Sequence, residues 1–244
     1  MKFFRIFLLL SALITSLLSN NTAIIADRPG FSTGTYTVQP GSLNVEMGYN
    51  YSKDVQTIPL MVLRTGITSD FELDIMYDGW DIKHSDGEQY SITSDIVIGG
   101  KYRIYESSLY NITFMGLTTL PIGSENTFKV QSISPFLAIL WDYTLSEQTS
   151  LFGTLQSTSY MQDTQRIYDA QLALGASFSH TDKFGSFIEI YTIIPSEKQI
   201  GTESVFDGGF TYMLNDDVQL DINMGLGLNA ISQNFIGAGV ALQF

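Results

Sequence analysis

The chain lacks cysteine altogether and has only two histidines among its 244 residues. Without cysteine there can be no disulfide bond, no thiolate metal site and no lipid attached to an N-terminal cysteine. Basic residues are also scarce: 12 Lys and Arg stand against 25 Asp and Glu, for a net charge of −13. Such a chain repels nucleic acid and anionic ligands, so we expect no nucleic-acid partner.

After the N-terminus, the chain also lacks any apolar run of the ~18 residues that a transmembrane helix needs. It is nevertheless 44% hydrophobic, with 13 Tyr, 16 Phe and 21 Gly. No Pro/Ser-rich linker and no block of charge divides it. The composition therefore favours one β-rich domain over a helical membrane protein or a multidomain chain.

The first residues have the pattern of a secretory signal. Lys2 and Arg5 supply positive charge, residues 6–18 are mainly apolar, and small residues follow from Ser19 onward. The sequence predicts a cleaved signal peptide within residues 1–26. A retained N-terminal anchor helix is the alternative.

The end of the chain alternates between apolar residues and small or polar ones. One face carries Ala238, Val240, Leu242 and Phe244, and the other carries Gly237, Gly239, Ala241 and Gln243. The last strand of a transmembrane barrel pairs with the first, with its apolar row facing lipid and its other row facing the lumen. The C-terminus therefore indicates a membrane barrel.

The same period of two recurs along the chain and predicts about twelve strands. These are residues 42–52, 57–68, 71–82, 92–105, 109–121, 133–145, 150–161, 166–179, 184–194, 204–214, 218–229 and 234–244. Short polar turns at 69–70, 106–107, 146–148, 181–183 and 215–217 alternate with longer segments at 52–56, 83–91, 122–132 and 195–203. Outer-membrane barrels sort their connections in this way, with the short turns periplasmic.

We therefore predict an all-β fold: a transmembrane, antiparallel, up-and-down β-barrel over residues 42–244, located in the outer membrane. Ten or fourteen strands would follow if one weak pair is miscounted. A secreted β-sandwich is the alternative, but it has no reason to sort its connections by length. Residues 27–41 come before the barrel and contain Pro29 and Pro40. We expect this segment to be periplasmic or to fold into the lumen as a plug.

Charged residues on the predicted inward face are the candidate lumen residues, because charge at mid-depth on the lipid face is costly. They are Glu46, Arg64, Glu72, Asp74, Asp95, Lys101, Arg103, Asp142, Asp169, Glu189, Asp207 and Asp221. Arg64 and Glu72 can meet across one hairpin. The acidic surplus favours cations or neutral solutes; alternatively, the pairs only hold the barrel in shape. Inward glycines such as Gly48 and Gly239 keep part of the lumen open or serve close backbone packing.

Aromatic residues near the predicted strand ends are candidates for the interfacial girdles of a barrel. They are Tyr49, Tyr51, Tyr77, Tyr102, Trp141, Tyr143, Tyr191 and Tyr212.

Catalytic and metal-binding patterns are weak. His84 lies near Asp81 and Ser85, and His180 lies near Asp182, which are the only starting points for a hydrolytic site. Both are expected to be solvated loop residues, so we predict no enzyme, no cofactor and no metal. Calcium at the loop acids is an alternative without the spacing of an EF-hand. These acids are Asp78, Asp81, Asp86 and Glu88.

Several short motifs carry a family resemblance. They are the stretch from Asp27-Arg28-Pro29 to Pro40-Gly41-Ser42-Leu43-Asn44-Val45-Glu46, then Leu63-Arg64-Thr65-Gly66, Gly99-Gly100-Lys101-Tyr102 and Leu120-Pro121-Ile122-Gly123. In this order they resemble the outer-membrane transporters grouped as the MetA-pathway of phenol degradation family. Ile122 departs from the Thr that is frequent at that position.

The resemblance implies an outer-membrane barrel that passes small, hydrophobic or aromatic molecules. It also implies structural or lumen roles for Asp27, Arg28, Glu46, Arg64, Glu72 and Lys101. We expect three partners: outer-membrane lipid, a small-molecule solute, and the barrel assembly machinery through Phe244. A non-conducting structural or adhesin-type barrel is the alternative, although connections of at most about a dozen residues favour transport over display.

Overall fold

The computed structural model describes residues 22–53, 55–77, 79–85, 88–121, 133–162 and 164–244, and only the backbone of residues 83–85, 88–90 and 92. No helix in these residues is long and apolar enough to cross a membrane. The described chain forms fourteen β-strands: β1 Leu43–Ser52, β2 Val55–Thr68, β3 Phe71–Tyr77, β4 Trp80–Ser85, β5 Glu88–Thr93, β6 Ile96–Glu106, β7 Tyr110–Leu120, β8 Ser134–Ser146, β9 Thr149–Gln162, β10 Gln165–Ser179, β11 Phe184–Pro195, β12 Glu203–Asn215, β13 Val218–Gly227 and β14 Phe235–Gln243.

Twelve of these strands close into one antiparallel barrel. The order runs from β1 through β14 down to β6, then through β3 and β2 back to β1. At the closure Glu46 lies opposite Ala241, and the amides of Leu43 and Phe244 each donate to the other's carbonyl at 2.9 Å. Closure pairs each of these twelve strands on both sides, which is what a lipid environment requires, and among the described strands only β5 of the β4–β5 hairpin has a single partner. The predicted fold is confirmed.

The two faces of the barrel wall differ in chemistry as predicted. Large apolar side chains in the middle of the strands point outward and remain exposed, among them Leu172, Leu174, Ile188, Ile190, Leu220, Ile222 and Met224. Polar side chains on the alternate positions are buried inside, among them Asn44, Glu46, Glu72, Lys101, Glu189, Asp207 and Asp221. An exposed apolar exterior is stable in hydrocarbon and not in water.

The predicted loop at 83–91 is wrong for most of its length. Strand β3 ends at Tyr77, and the chain turns at Gly79, which has a φ of +66°, and continues as β4, paired with β2 and with β5. Glycine adopts this conformation at low cost, so the chain returns to the sheet directly after the turn. The hairpin β4–β5 therefore extends the wall beyond β3 and β6. The connection predicted at 52–56 is also shorter than expected, because β2 already begins at Val55. The predicted loop at 122–132 lies outside the described residues.

One patch of the lumen wall is apolar and was not predicted. Met115 and Leu117 of β7 and Ala138 and Leu140 of β8 point inward and are buried together, with Phe136 packed against them. The sequence carries a signal for this patch, because residues 136–141 of β8 are apolar without interruption. A strand that is apolar on both faces loses its alternation. The lumen thus has a polar side and an apolar side.

Tyr191 was wrongly placed in an interfacial girdle. It shares the inward face of β11 with Glu189, and its ring stacks on Phe31 with centroids 4.0 Å apart and planes 7° apart. Position near a strand end does not distinguish a girdle residue from a lumen residue when the strand parity points inward.

Candidate functional site

Residues 22–41 enter the lumen from the short-turn end, reach its middle and return to begin β1. Near the entrance the amide of Ile24 donates to the carbonyl of Asp216 at 2.7 Å. At mid-depth Asn223 donates to the carbonyl of Pro29 at 2.9 Å, and on the return Pro40 forms a β-bridge with Gly66. We call residues 22–41 the inner segment. Residues 1–21 lie outside the described residues, so the signal peptide stays a prediction.

Glutamates of the barrel wall bind backbone amides of the inner segment. These backbone N–H groups are not paired within a strand or a helix, and the carboxylates accept from them instead. This allows a segment without regular secondary structure to be buried. Glu46 accepts from Asp27 and Arg28 at 3.1 and 3.0 Å, Glu189 accepts from Phe31 and Ser32 at 2.9 and 3.1 Å, and Glu72 accepts from Val38. The segment is thus fixed from three sides of the barrel.

A buried charge cluster joins the segment to the wall and consists of Asp27 of the segment with Glu46, Arg64, Glu72 and Lys101 of the strands. Arg64 contacts Glu46 at 2.9 Å, Glu72 at 3.0 Å and Asp27 at 3.1 Å. Lys101 contacts Asp27 at 2.9 Å and Glu72 at 3.0 Å. The hairpin contact predicted between Arg64 and Glu72 is present.

The cluster is shielded from water. The Arg64 and Lys101 side chains are 1% and 0% exposed, so their charges depend on the surrounding carboxylates and carbonyls. Burial raises the pKa of the Asp27 carboxyl, while the charges of Arg64 and Lys101 oppose that rise. Both cations also donate to the carbonyl of Tyr36, so they hold the returning half of the segment as well.

A second ion pair joins the segment to β13, two strands from β1 in the barrel. The guanidinium of Arg28 donates from Nε and Nη2 to the two carboxylate oxygens of Asp221, each at 3.2 Å. Gly48 and Gly239 face each other across β1 and β14, and a Cβ at either position would meet the Arg28 guanidinium. These two glycines therefore serve close packing of Arg28 rather than an open lumen.

Gly48→Ala is expected to displace the Arg28 guanidinium from Asp221, because the long side chain yields more easily than the strand. Loss of a charged hydrogen-bonded pair costs about 2 kcal/mol, so the ratio of released to bound segment should rise by more than tenfold. Hydrogen exchange at the amides of Arg28 and Phe31 should be faster than in the wild type. Gly116→Ala is the matched control, since Gly116 lies on the outer face and its added Cβ comes no closer than 3.3 Å to Phe114. Equal exchange rates in the two variants would contradict this role of Arg28.

The remaining predicted lumen residues do not join the cluster. Asp142 accepts from Thr35 of the segment and from Asn111 at 2.9 Å. Asp74 and Asp207 are buried on the inward face, while Asp95 lies between β5 and β6 and Asp169 lies on β10. Arg103 is at the rim, where it pairs with the exposed Asp70 and Glu106. Sequence reasoning missed Thr35 of the inner segment and Asn111 and Thr113 of β7, because uncharged polar residues carry no distinctive signal.

The inner segment separates two spaces in the lumen. An inner cavity of about 340 Å³ lies between the segment and strands β8–β13, on the short-turn side. An outer cavity of about 270 Å³ lies on the other side, next to a mouth of about 290 Å³ that shares Asn50, Tyr191 and Phe235 with it. Arg28, Pro29 and Gly30 line both the inner and the outer cavity. They form the partition between them.

The sequence matches the family model described as "Putative MetA-pathway of phenol degradation" over residues 26–244. The chain belongs to this family. The matched range begins within the inner segment and includes all described strands. The resemblance seen in the motifs is thereby confirmed. No curated protein sequence matches the chain.

Solved structures similar to this family member are outer-membrane barrels. An outer membrane channel of Pseudomonas putida F1 has a TM-score of 0.69 at 12% identity, with 89% of this chain and 99% of that chain covered. The KdgM porin in complex with disordered oligogalacturonate has a TM-score of 0.59 at 10% identity, with 82% and 99% covered. The NanC porin has a TM-score of 0.59 at 10% identity, with 82% and 98% covered. With its apolar exterior, the chain is an outer-membrane β-barrel.

Within the described residues, neither histidine is part of a catalytic arrangement. His180 Nε2 lies 2.7 Å from Ser186 Oγ, but both residues are at the short-turn rim, and the ring of His180 contacts Phe178 and Phe184. Within the described residues no carboxylate is bonded to this ring. The side chains of His84 and Glu88, and all of Asp78 and Asp86, lie outside what the structure describes, so the calcium alternative stays untested.

Proposed function

We propose that this protein is a channel for small solutes whose opening is limited by the inner segment. The observation that carries the proposal is the partition formed by Arg28, Pro29 and Gly30 between the inner and outer cavities. A solute that enters the outer cavity reaches the inner one only if this part of the segment moves. Release of the Arg28–Asp221 pair and of the amides held by Glu46 and Glu189 would supply that movement.

Small solutes with an apolar or aromatic part are the class that the lumen best suits. The outer cavity has the rings of Phe31, Tyr191 and Phe235 in its wall, and the inner cavity has Phe152 and Phe187. Apolar walls with a few polar groups are typical of sites that bind small organic molecules. The cavities are too small for a large solute unless the whole segment leaves the lumen.

The acidic lumen supports a preference for cations over anions. We expect that, under a KCl gradient across a planar bilayer, the reversal potential of the purified protein moves toward that of K⁺. The cause of this preference is the surplus of carboxylates in the lumen. Among the lumen residues named above, four are basic: Arg28, Arg64, Lys101 and Arg103. A reversal potential that moves toward that of Cl⁻ would contradict the lumen charge that we assign.

A non-conducting structural barrel is the second candidate. The observation that favours it is the number of contacts between the inner segment and the wall, which reach β1, β2, β3, β6, β7, β8, β11, β13 and β14. A planar-bilayer recording of the purified protein separates the two candidates, because a channel passes current and a structural barrel passes none while the inner segment is present. If no current is seen, a recording of the protein without the inner segment tests the barrel wall alone.

The proposal assigns no catalytic step to the protein. Its support is the barrel fold with cavities on both sides of a central segment; hydrolytic activity in the purified protein, lost in His84→Ala, would contradict it. The proposed partners are a small solute in the lumen, lipid against the outward apolar row, and the barrel assembly machinery at Phe244. Support for the last is the position of Phe244 at the β1–β14 closure.

A further inference from the structure

The outer cavity is lined by an acidic side chain that has no hydrogen-bond partner among the other described residues. Asp207 lies on the inward face of β12, is 1% exposed and lines the cavity. Neither of its carboxylate oxygens receives a hydrogen bond from another described residue. A buried carboxylate without a partner is costly, so this position calls for a proton or for a positively charged ligand.

The neighbouring charges do not neutralise Asp207. Glu189 is its cross-strand partner on β11, and its own carboxylate is occupied by the amides of Phe31 and Ser32. Among the described residues that line the cavity and its mouth, Arg28 is the basic one, and both carboxylate oxygens of Asp221 already accept hydrogen bonds from it. Glu203 adds negative charge at the mouth. The described residues of the cavity and its mouth therefore leave Asp207 without a cation of its own.

Two further features define what would fit beside Asp207. The stacked rings of Phe31 and Tyr191 and the ring of Phe235 give the cavity an aromatic wall. The side-chain oxygen of Asn223, whose residue is 8% exposed, is a second buried acceptor without a partner. Aromatic faces and free acceptors together suit an ammonium group, which offers three N–H donors and is attracted to the ring faces.

We propose that the outer cavity is a binding site for small organic ammonium ions that carry an apolar or aromatic body. The ammonium pairs with Asp207 and donates to Asn223, while the body lies against Phe31, Tyr191 and Phe235. A bare metal ion fits less well, because no group of three or more His, Asp and Glu among the described residues is arranged to hold one. This inference names a ligand class for the proposed channel, but the site is open to the mouth and fills whether or not the channel conducts.

Isothermal titration calorimetry of the full-length protein in lipid nanodiscs tests the site. The probe is 2-phenylethylammonium, compared with 2-phenylethanol, which has the same body without the charge, and with phenylacetate, which has the opposite charge. We expect the ammonium to bind at least tenfold more tightly than the alcohol, and phenylacetate not to bind. Equal affinity for the ammonium and the alcohol would overturn the proposal, since it would mean that Asp207 carries a proton and offers no charge.

Variants locate the binding. Asp207→Asn keeps the shape and removes the charge, so affinity for 2-phenylethylammonium should fall roughly tenfold or more while that for 2-phenylethanol stays unchanged. Asp169→Asn is the matched control, because Asp169 faces the lumen on β10 but does not line the outer cavity. Tyr191→Leu should weaken both probes. An Asp207→Asn protein that binds the ammonium as the wild type does would refute the site.

The binding result and the channel result can fail separately. Binding that is lost in Asp207→Asn, in a protein that passes no current, would leave the site standing and remove the channel. Current without selective binding of the ammonium would do the reverse.

Discussion

Arg64→Ala is expected to destabilise the folded barrel by about 3–5 kcal/mol, the usual cost of removing one member of a buried ionic network. Arg64 contacts Asp27, Glu46 and Glu72. Without it these three carboxylates would face Lys101 alone, in a place that water does not reach. Urea unfolding in lipid vesicles, followed by the loss of heat-resistant migration of the barrel, measures the change.

The position of Arg64 makes the cost large, and a second arginine supplies the control. Arg103 also pairs with two carboxylates and its side chain is 10% exposed, but its partners Asp70 and Glu106 are 51% and 55% exposed. Ion pairs whose carboxylates stay in water contribute at most about 1 kcal/mol, so Arg103→Ala should cost far less than Arg64→Ala. Arg64→Lys should fall between the two, because lysine keeps the charge but cannot reach three carboxylates with a planar fork. Equal losses for Arg64→Ala and Arg103→Ala would contradict the buried network.

The wall of the barrel could be predicted from the sequence because its determinants are local. Alternation in β10 or β13 is visible within one strand, so the inward and outward faces of the wall followed from the sequence. The contact between Arg64 and Glu72 was predictable for the same reason, as both lie on the inward face of one hairpin, where Arg64 pairs with Asp74 and Glu72 with Gly66.

The contacts of the inner segment could not be predicted in this way. Arg28 meets Asp221 across 193 residues, and Lys101 meets Asp27 across 74. The segment has no period, so nothing in its sequence says which wall residue each part will touch. The family resemblance did single out Asp27, Arg28, Glu46, Arg64, Glu72 and Lys101, which the structure brings into two connected ion-pair groups. The motifs thus pointed to the residues but not to their partners.

Asp207 is a second example of a residue whose face, but not whose contacts, could be predicted from the sequence. Its inward direction followed from the alternation of β12, so its place in the lumen was predicted. Its lack of a partner was not, because that depends on where the inner segment directs Phe31 and Ser32 and on what their amides bind. The register of a strand determines which face a residue lies on, whereas the tertiary structure determines which residues it contacts.

Deletion of residues 27–39 is expected to raise the single-channel conductance severalfold. The deleted stretch contains the partition Arg28, Pro29 and Gly30, so the inner and outer cavities would join into one aqueous path. The deletion removes one aspartate and one arginine, which leaves the net charge unchanged. Arg64 and Lys101 keep Glu46 and Glu72 as partners on the wall, so the barrel should still fold.

A planar-bilayer recording of the deletion protein beside the wild type tests the central claim, that the inner segment limits passage through this barrel. Heat-resistant migration should first show that both proteins are folded, and the reversal potential should stay on the cation side in both. The account predicts rare or small currents in the wild type and large, steady ones in the deletion protein. Equal conductance in the two folded proteins would contradict it.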